Sequence, residues 1–359
     1  MCRSREKLPI PGKHLSRWTS EHYSLMKSIS FLVVALCTVA AFSFLLSCQD
    51  TSRFFDPGNH VIKLKGHYGF PDPPSPADNL PTSNRLALGK RLFSDPILSR
   101  DSSISCASCH IESLAFTDGL PKSKGVRGKT AFRNAPSLIN CAYLPNTMWD
   151  GGVPTLEQQV LAPISNPLEM DFDANKIVSR ILAHPTYPEL FRRAYGEAPS
   201  VYSLTRAISC YERTLVSGTS RYDRFLYGHD TSALSAREKR GKDLFFGEKC
   251  ECFHCHGEYN FTDNSFKNNG IYANYPDSGR ARITLKKSDL GSFRVPSLRN
   301  VARTAPYMHD GSLPTLDAVI DHYISGGKAN PNKSGLLKPM HLTAQEKQDL
   351  IAFLKALTD

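Results

Sequence analysis

Cys106-Ala107-Ser108-Cys109-His110 and, 146 residues later, Cys252-Phe253-His254-Cys255-His256 both spell Cys-x-x-Cys-His. Two thiols at that spacing can add to the two vinyl groups of one haem, while the adjacent histidine offers the iron a nitrogen. A four-cysteine zinc site is the rival chemistry, because Cys-x-x-Cys serves there too. With 12 His among 359 residues, chance would place a histidine after both pairs in about one such chain in a thousand. The motifs therefore read as two covalent haem c attachments, through Cys106, Cys109 and His110 and through Cys252, Cys255 and His256.

The elements around the two motifs repeat. Gly89-Lys90-Arg91-Leu92-Phe93, with the apolar spacing of a helix stopped by Ser94-Asp95-Pro96, is answered by Gly241-Lys242-Asp243-Leu244-Phe245. Beyond the motifs, Phe132-Arg133-Asn134-Ala135-Pro136-Ser137-Leu138-Ile139-Asn140 is echoed by Phe293-Arg294-Val295-Pro296-Ser297-Leu298-Arg299-Asn300. Trp149-Asp150-Gly151-Gly152-Val153-Pro154-Thr155-Leu156 is echoed by His309-Asp310-Gly311-Ser312-Leu313-Pro314-Thr315-Leu316. Blocks in one order around each motif predict a mainly α fold of two homologous, cytochrome c-like haem domains from an internal duplication, residues 83–230 and 231–359. An amphipathic helix is expected over Leu204 to Val216, and strand patterns are scarce.

Ser30 to Leu46 is almost wholly apolar, follows Lys27 and ends in Leu45-Leu46-Ser47-Cys48, the look of a bacterial lipoprotein signal with Cys48 as first mature residue. A single anchor helix is the alternative, and both readings export the rest of the chain. Residues 1–47 are then a signal segment, 1–25 of it an extension before a start at Met26, and 48–82 a Pro-, Ser- and Gly-rich linker. The protein is expected on the periplasmic side of a bacterial membrane, held by a lipid anchor. Six Lys/Arg against two Glu lie in the removed segment, so the charge of +10 falls to about +6. No nucleic-acid motif accompanies this balance.

Together, the haem motifs, the Trp149-Asp150-Gly151 block and Thr304-Ala305-Pro306-Tyr307-Met308-His309-Asp310-Gly311 resemble the bacterial dihaem cytochrome c peroxidase family, MauG proteins included, over roughly residues 80–359. The resemblance implies peroxide chemistry at the N-terminal haem and electron entry at the C-terminal one, supplied by a small cytochrome or a cupredoxin. It makes Gln159 and Glu169 the distal-pocket pair and Trp149 the relay between haems. Cleaving peroxide requires a proton moved from the inner to the leaving oxygen, work suited to a positioned carboxyl, while an amide orients the molecule. Asn134 and the carbonyls of Thr304 and Pro306 match the family's calcium site, with the oxygen donors that ion prefers.

Two departures stand out. Many family members carry a blocking histidine in the loop after the first motif; here Val126 holds that position, and no histidine occurs from Ile111 to Ala183. At the second haem, Tyr323 falls where a methionine ligand is usual, as in MauG, with Met308 and His322 as rivals; His309 is expected to brace the interface as counterpart of Trp149. A phenolate would favour ferric iron and a low potential. Cys141, Cys210 and Cys250 are left over, with a Cys141–Cys210 bridge and buried thiols both open. The leading expectation is a peroxidase that turns hydrogen peroxide into water. A MauG-like oxidase of a partner protein or small molecule is the alternative enzyme, and a non-catalytic dihaem electron carrier the alternative class. The carrier would need a soft ligand such as Met148 or Met170 at the first iron.

Overall fold

The computed structural model describes residues 58–359. The apolar signal segment and Cys48 lie outside them. No helix among the described residues is long and apolar enough to cross a membrane.

Helices dominate. The longer ones are α1 (Ser83–Ser94), α2 (Ala174–Leu182), α3 (Tyr187–Tyr195), α4 (Val201–Glu212), α5 (Ala236–Phe246), α6 (Leu316–Ile324) and α7 (Ala344–Lys355). The only sheet among the described residues pairs β1 (Phe266–Lys267) antiparallel with β2 (Phe293–Arg294). The α4 helix starts three residues before the expected Leu204 and ends at Glu212, because Ser200 and Ser203 form a capping box ahead of the apolar run.

Two apolar cores form. Leu92, Phe93, Phe191, Leu204 and Ile208 belong to one, and Tyr222, Phe245, Phe261, Leu350 and Phe353 to the other. Each core is built around a crossing of two helices at a glycine. A Cβ on Gly89 in α1 would lie 1.9 Å from the Ala207 carbonyl oxygen of α4, and one on Gly241 in α5 would lie 2.0 Å from the Asp349 carbonyl oxygen of α7. Only glycine permits so close an approach, which explains why the matching Gly-Lys blocks share that residue.

The described part of the expected linker carries contacts of its own. Asn79 is fully buried and donates to Glu157 Oε1 at 2.8 Å, while Phe70 meets the rings of Tyr143 and Tyr259. Cys141, Cys210 and Cys250 are buried free thiols, and no disulfide joins Cys141 to Cys210. Cys141 Sγ instead reaches the Glu212 carbonyl oxygen at 3.4 Å.

Candidate active site

At the first motif, one helical turn, Cys106–Cys109, carries both thiols, and Cys106 packs against the first core. His110 Nδ1 donates to the Phe116 carbonyl oxygen at 2.8 Å, which leaves Nε2 free for a metal. The second motif repeats this arrangement, with His256 Nδ1 held 3.0 Å from the Phe261 carbonyl oxygen. Burial depresses both imidazoles, keeping them in the neutral form that ligates iron.

The second motif opens into a cavity of about 510 Å³, lined by Cys252, Cys255 and His256 and also by Trp149, Tyr323 and Arg294. Two observations fit a haem to this space. The thiols and the imidazole share one wall system, as covalent attachment requires. Arg294 is 7% exposed, and its Nε reaches only the Met148 carbonyl oxygen, at 3.4 Å. No carboxylate pairs with it among the described residues, and burial lowers its pKa to about 10. A buried guanidinium facing a cavity is the counter-charge that haem carboxylates need. Sequence reasoning missed Arg294, although it stands opposite Arg133 in the repeated Phe-Arg block.

Of the three rival ligands, Tyr323 and Met308 line this cavity. His322 turns its Nε2 to the Asn269 carbonyl oxygen at 3.0 Å. Asn269, also missed by sequence, organises the group, because its Nδ2 lies 3.1 Å from Met308 Sδ and its side chain hydrogen-bonds Tyr323. Burial, with a smaller push from the nearby Cys252 and Cys255, drives the Tyr323 hydroxyl up to about 12 against that hydrogen bond. Met340 and His341 line the same cavity and were not foreseen.

Near the first motif, Glu169 and Gln159 each precede a core residue, Met170 and Val160, which anchors them half-buried. Burial raises the Glu169 carboxyl, partly offset by a hydrogen bond from Asn166 Nδ2 at 2.8 Å. Its charge in turn helps to push the Cys109 thiol up to about 11, behind burial and Asp118, so Glu169 lies within electrostatic reach of the haem motif. Val126 is fully buried, and its N–H donates to the Glu169 carbonyl oxygen at 2.8 Å. No hydrogen bond joins Gln159 to Glu169 among the described residues.

Trp149 donates its indole N–H to the Asn134 carbonyl oxygen at 2.8 Å, and its own carbonyl accepts from Arg294 N at 2.8 Å. Asn134 Nδ2 donates to the Leu120 carbonyl oxygen at 2.8 Å, which leaves its Oδ1 to another partner. Asn134, Thr304 and Pro306 line one cavity. His309 stacks on Phe293, a neighbour in its own half of the chain, at 3.8 Å between ring centres.

The family profile described as di-haem cytochrome c peroxidase matches residues 83–231. The methylamine utilization protein MauG of Methylorubrum extorquens is 41% identical over 305 residues, covering 83% of this chain and 85% of that protein. The cytochrome-c peroxidase IdrP1 of Pseudomonas sp. (strain SCT) is 36% identical over 321 residues, covering 80% and 84%. A crystal structure of a MauG-like protein associated with microbial copper homeostasis superposes with a TM-score of 0.77 at 41% identity, over 81% of this chain and 94% of that one.

Proposed function

The chain belongs to the di-haem cytochrome c peroxidase family, a family of oxidoreductases, and from that premise we propose that it reduces hydrogen peroxide to water. The family implies two haem c groups, which when bound supply the iron redox chemistry, with His110 and His256 as protein ligands and Tyr323 as the second ligand at the C-terminal domain. All else falls to the chain.

At the N-terminal domain, the Glu169 carboxylate, whose proton affinity burial raises, takes a proton from the inner peroxide oxygen and delivers it to the leaving one. Gln159 offers an amide donor and acceptor that orient the peroxide. The observation that carries the reading is the hydrogen bond from Val126 N to the Glu169 carbonyl oxygen. It joins the two backbones, and Val126, at the position where many family members carry a blocking histidine, supplies no imidazole to close the site, so peroxide can enter without prior reduction. Met170, one of the two soft ligands an electron carrier could call on, is committed to the core at 3% exposure.

Trp149 relays electrons between the two homologous haem domains, 83–230 and 231–359. A calcium ion held by Asn134 Oδ1 and the Thr304 and Pro306 carbonyls ties the domains together. A small cytochrome or a cupredoxin delivers electrons at the C-terminal domain, and the lipid on Cys48 keeps the protein at the periplasmic face of a membrane. A MauG-like oxidation of a partner protein or small molecule is the second reading, favoured by Tyr323 in the second cavity.

The test is to mix the oxidised, as-isolated holoprotein with hydrogen peroxide. Consumption is expected without prior reduction, accelerating when reduced cytochrome or cupredoxin is added. A protein inert to peroxide until pre-reduced would refute the open-site reading.

A further inference from the structure

Around Trp149 the chain assembles a set of charges that neither haem motif requires. Asp150 is fully buried. Its Oδ2 accepts from Arg133 Nη1 at 2.7 Å and from Arg282 Nη2 at 2.6 Å, and its Oδ1 accepts from Gly152 N at 3.0 Å. Arg133 turns the rest of its guanidinium to Asp277, with Nε–Oδ2 at 2.6 Å and Nη2–Oδ1 at 2.9 Å. Two cations and two anions thus close on one another. Burial alone would raise both carboxyls, but the guanidiniums hold them below the usual carboxylate range.

The connectivity shows what the lattice acts on. Trp149 precedes Asp150 in the chain, and Asn134, whose carbonyl takes the indole N–H, follows Arg133. Both ends of the indole hydrogen bond are therefore one residue from a lattice member, and the 2.7 Å Arg133–Asp150 pair ties the two ends together. Asp277 and Arg282 then pin that unit to the second half of the chain, helped by Arg280, whose Nη1 reaches the carbonyls of Asp150 at 2.8 Å and Gly151 at 2.9 Å. The matching segment of the second copy has no such lattice. Asp310, opposite Asp150, accepts from the Tyr272 hydroxyl at 2.5 Å, and Arg294, opposite Arg133, enters the cavity. The charges accompany the copy that carries tryptophan. Buried ion pairs contribute little net stability but fix geometry, and planar guanidinium forks fix it tightly.

We propose that Arg133, Asp150, Asp277 and Arg282 are positioning residues that hold the Trp149 indole, through its bond to Asn134, in the single orientation that serves electron transfer between the two haem domains. The inference rests on the reading of Trp149 as relay, and the experiment separates the two. Trp149 is the only tryptophan after Trp18, so ultraviolet resonance Raman on the mature holoprotein reports its N–H hydrogen bond alone. Asp277→Asn should shift the indole band toward that of a free N–H and slow equilibration of electrons between the haems by about tenfold, with haem content unchanged. Arg282 is a milder site, its side chain being 59% exposed. Should Asp277→Asn fail to fold, Arg282→Gln gives the same shifts in smaller measure, and Arg282→Lys, which keeps the charge, restores the parent band. An indole band unmoved in Asp277→Asn, or in Arg282→Gln, overturns the proposal. Trp149→Phe tests the relay itself: parent-rate equilibration there rejects the relay, while the Raman shift still decides whether the lattice positions the ring.

Discussion

Single residues decide what each site can do, and the second cavity holds the sharpest choice. Tyr323 and Met308 both line it, with Asn269 bonded to each. An iron ligand must shed a phenolic proton that burial holds at about 12, which a bound ferric ion can enforce and the apoprotein cannot. Tyr323→Phe should therefore alter the ferric spectrum of the second haem and leave the first unchanged, whereas Met308→Leu should alter neither. Electron paramagnetic resonance on both variants checks this, and the reverse outcome would put a thioether on the iron. At the first site, Glu169→Gln keeps the shape and removes the proton carrier, so peroxide cleavage measured by stopped flow should slow by about 100-fold or more. Parent-rate cleavage would remove Glu169 from the mechanism. The haem motifs were legible in the sequence because covalent attachment demands fixed local spacing. Arg294 and Asn269 were not, because their roles come from which cavity they line, and no local pattern encodes that.

The short helix Leu156–Gln159 carries Gln159, and a turn of four residues cannot hold its own position. A buried ion pair anchors it: Arg213, at the end of α4, meets Glu157 with Nη1–Oε1 at 2.7 Å and Nη2–Oε2 at 3.0 Å. Burial would raise the Glu157 carboxyl, but hydrogen bonds from Arg213 and Asn79 overcome it and hold the group at about 2. Because its folded value lies below the unfolded value of about 4.3, the stabilisation is complete above that pH and is lost as pH falls toward 2. Arg213→Met leaves the carboxylate buried and unpaired, and should cost about 3 to 5 kcal/mol at neutral pH in urea unfolding. It should also flatten the acid dependence between those values, and an unchanged urea midpoint would show the pair to be dispensable. The capped, amphipathic helices were readable from spacing. This anchor was not, since its partners stand 56 residues apart and each alone looks like a surface charge.

At the scale of the whole molecule, the two halves are built into one another. A Cβ on Gly151 would strike the ring of Phe266 at 2.3 Å, and one on Gly311 would strike Pro121 at the same distance, so each copy's glycine turn seats against the other half. Both repeat blocks end on an asparagine that reaches Ser217, Asn140 Nδ2 at its carbonyl oxygen (3.0 Å) and Asn300 Nδ2 at its hydroxyl (2.7 Å). The repeat was visible in the sequence as matching blocks, but the reciprocal seating needs both copies folded. The proposed calcium would add to this joint: Asn134 comes from the first half, Thr304 and Pro306 from the second, and all three line one cavity. An ion that binds only the folded state stabilises it by about 2.7 kcal/mol at a hundred times its dissociation constant. Treating the holoprotein with a calcium chelator should therefore lower its thermal midpoint by several degrees and disturb the spectra of both haems, because the ion's partner Asn134 also holds the Trp149 indole. Calcium should restore both signals and magnesium should not, as carbonyl-rich sites suit the larger ion. Asn134→Ala should mimic the chelator, while Asn134→Asp, which keeps an oxygen donor, should retain calcium sensitivity. A midpoint and spectra indifferent to chelation would leave the joint to the glycine turns, Ser217 and the Arg133–Asp277 and Arg282–Asp150 pairs.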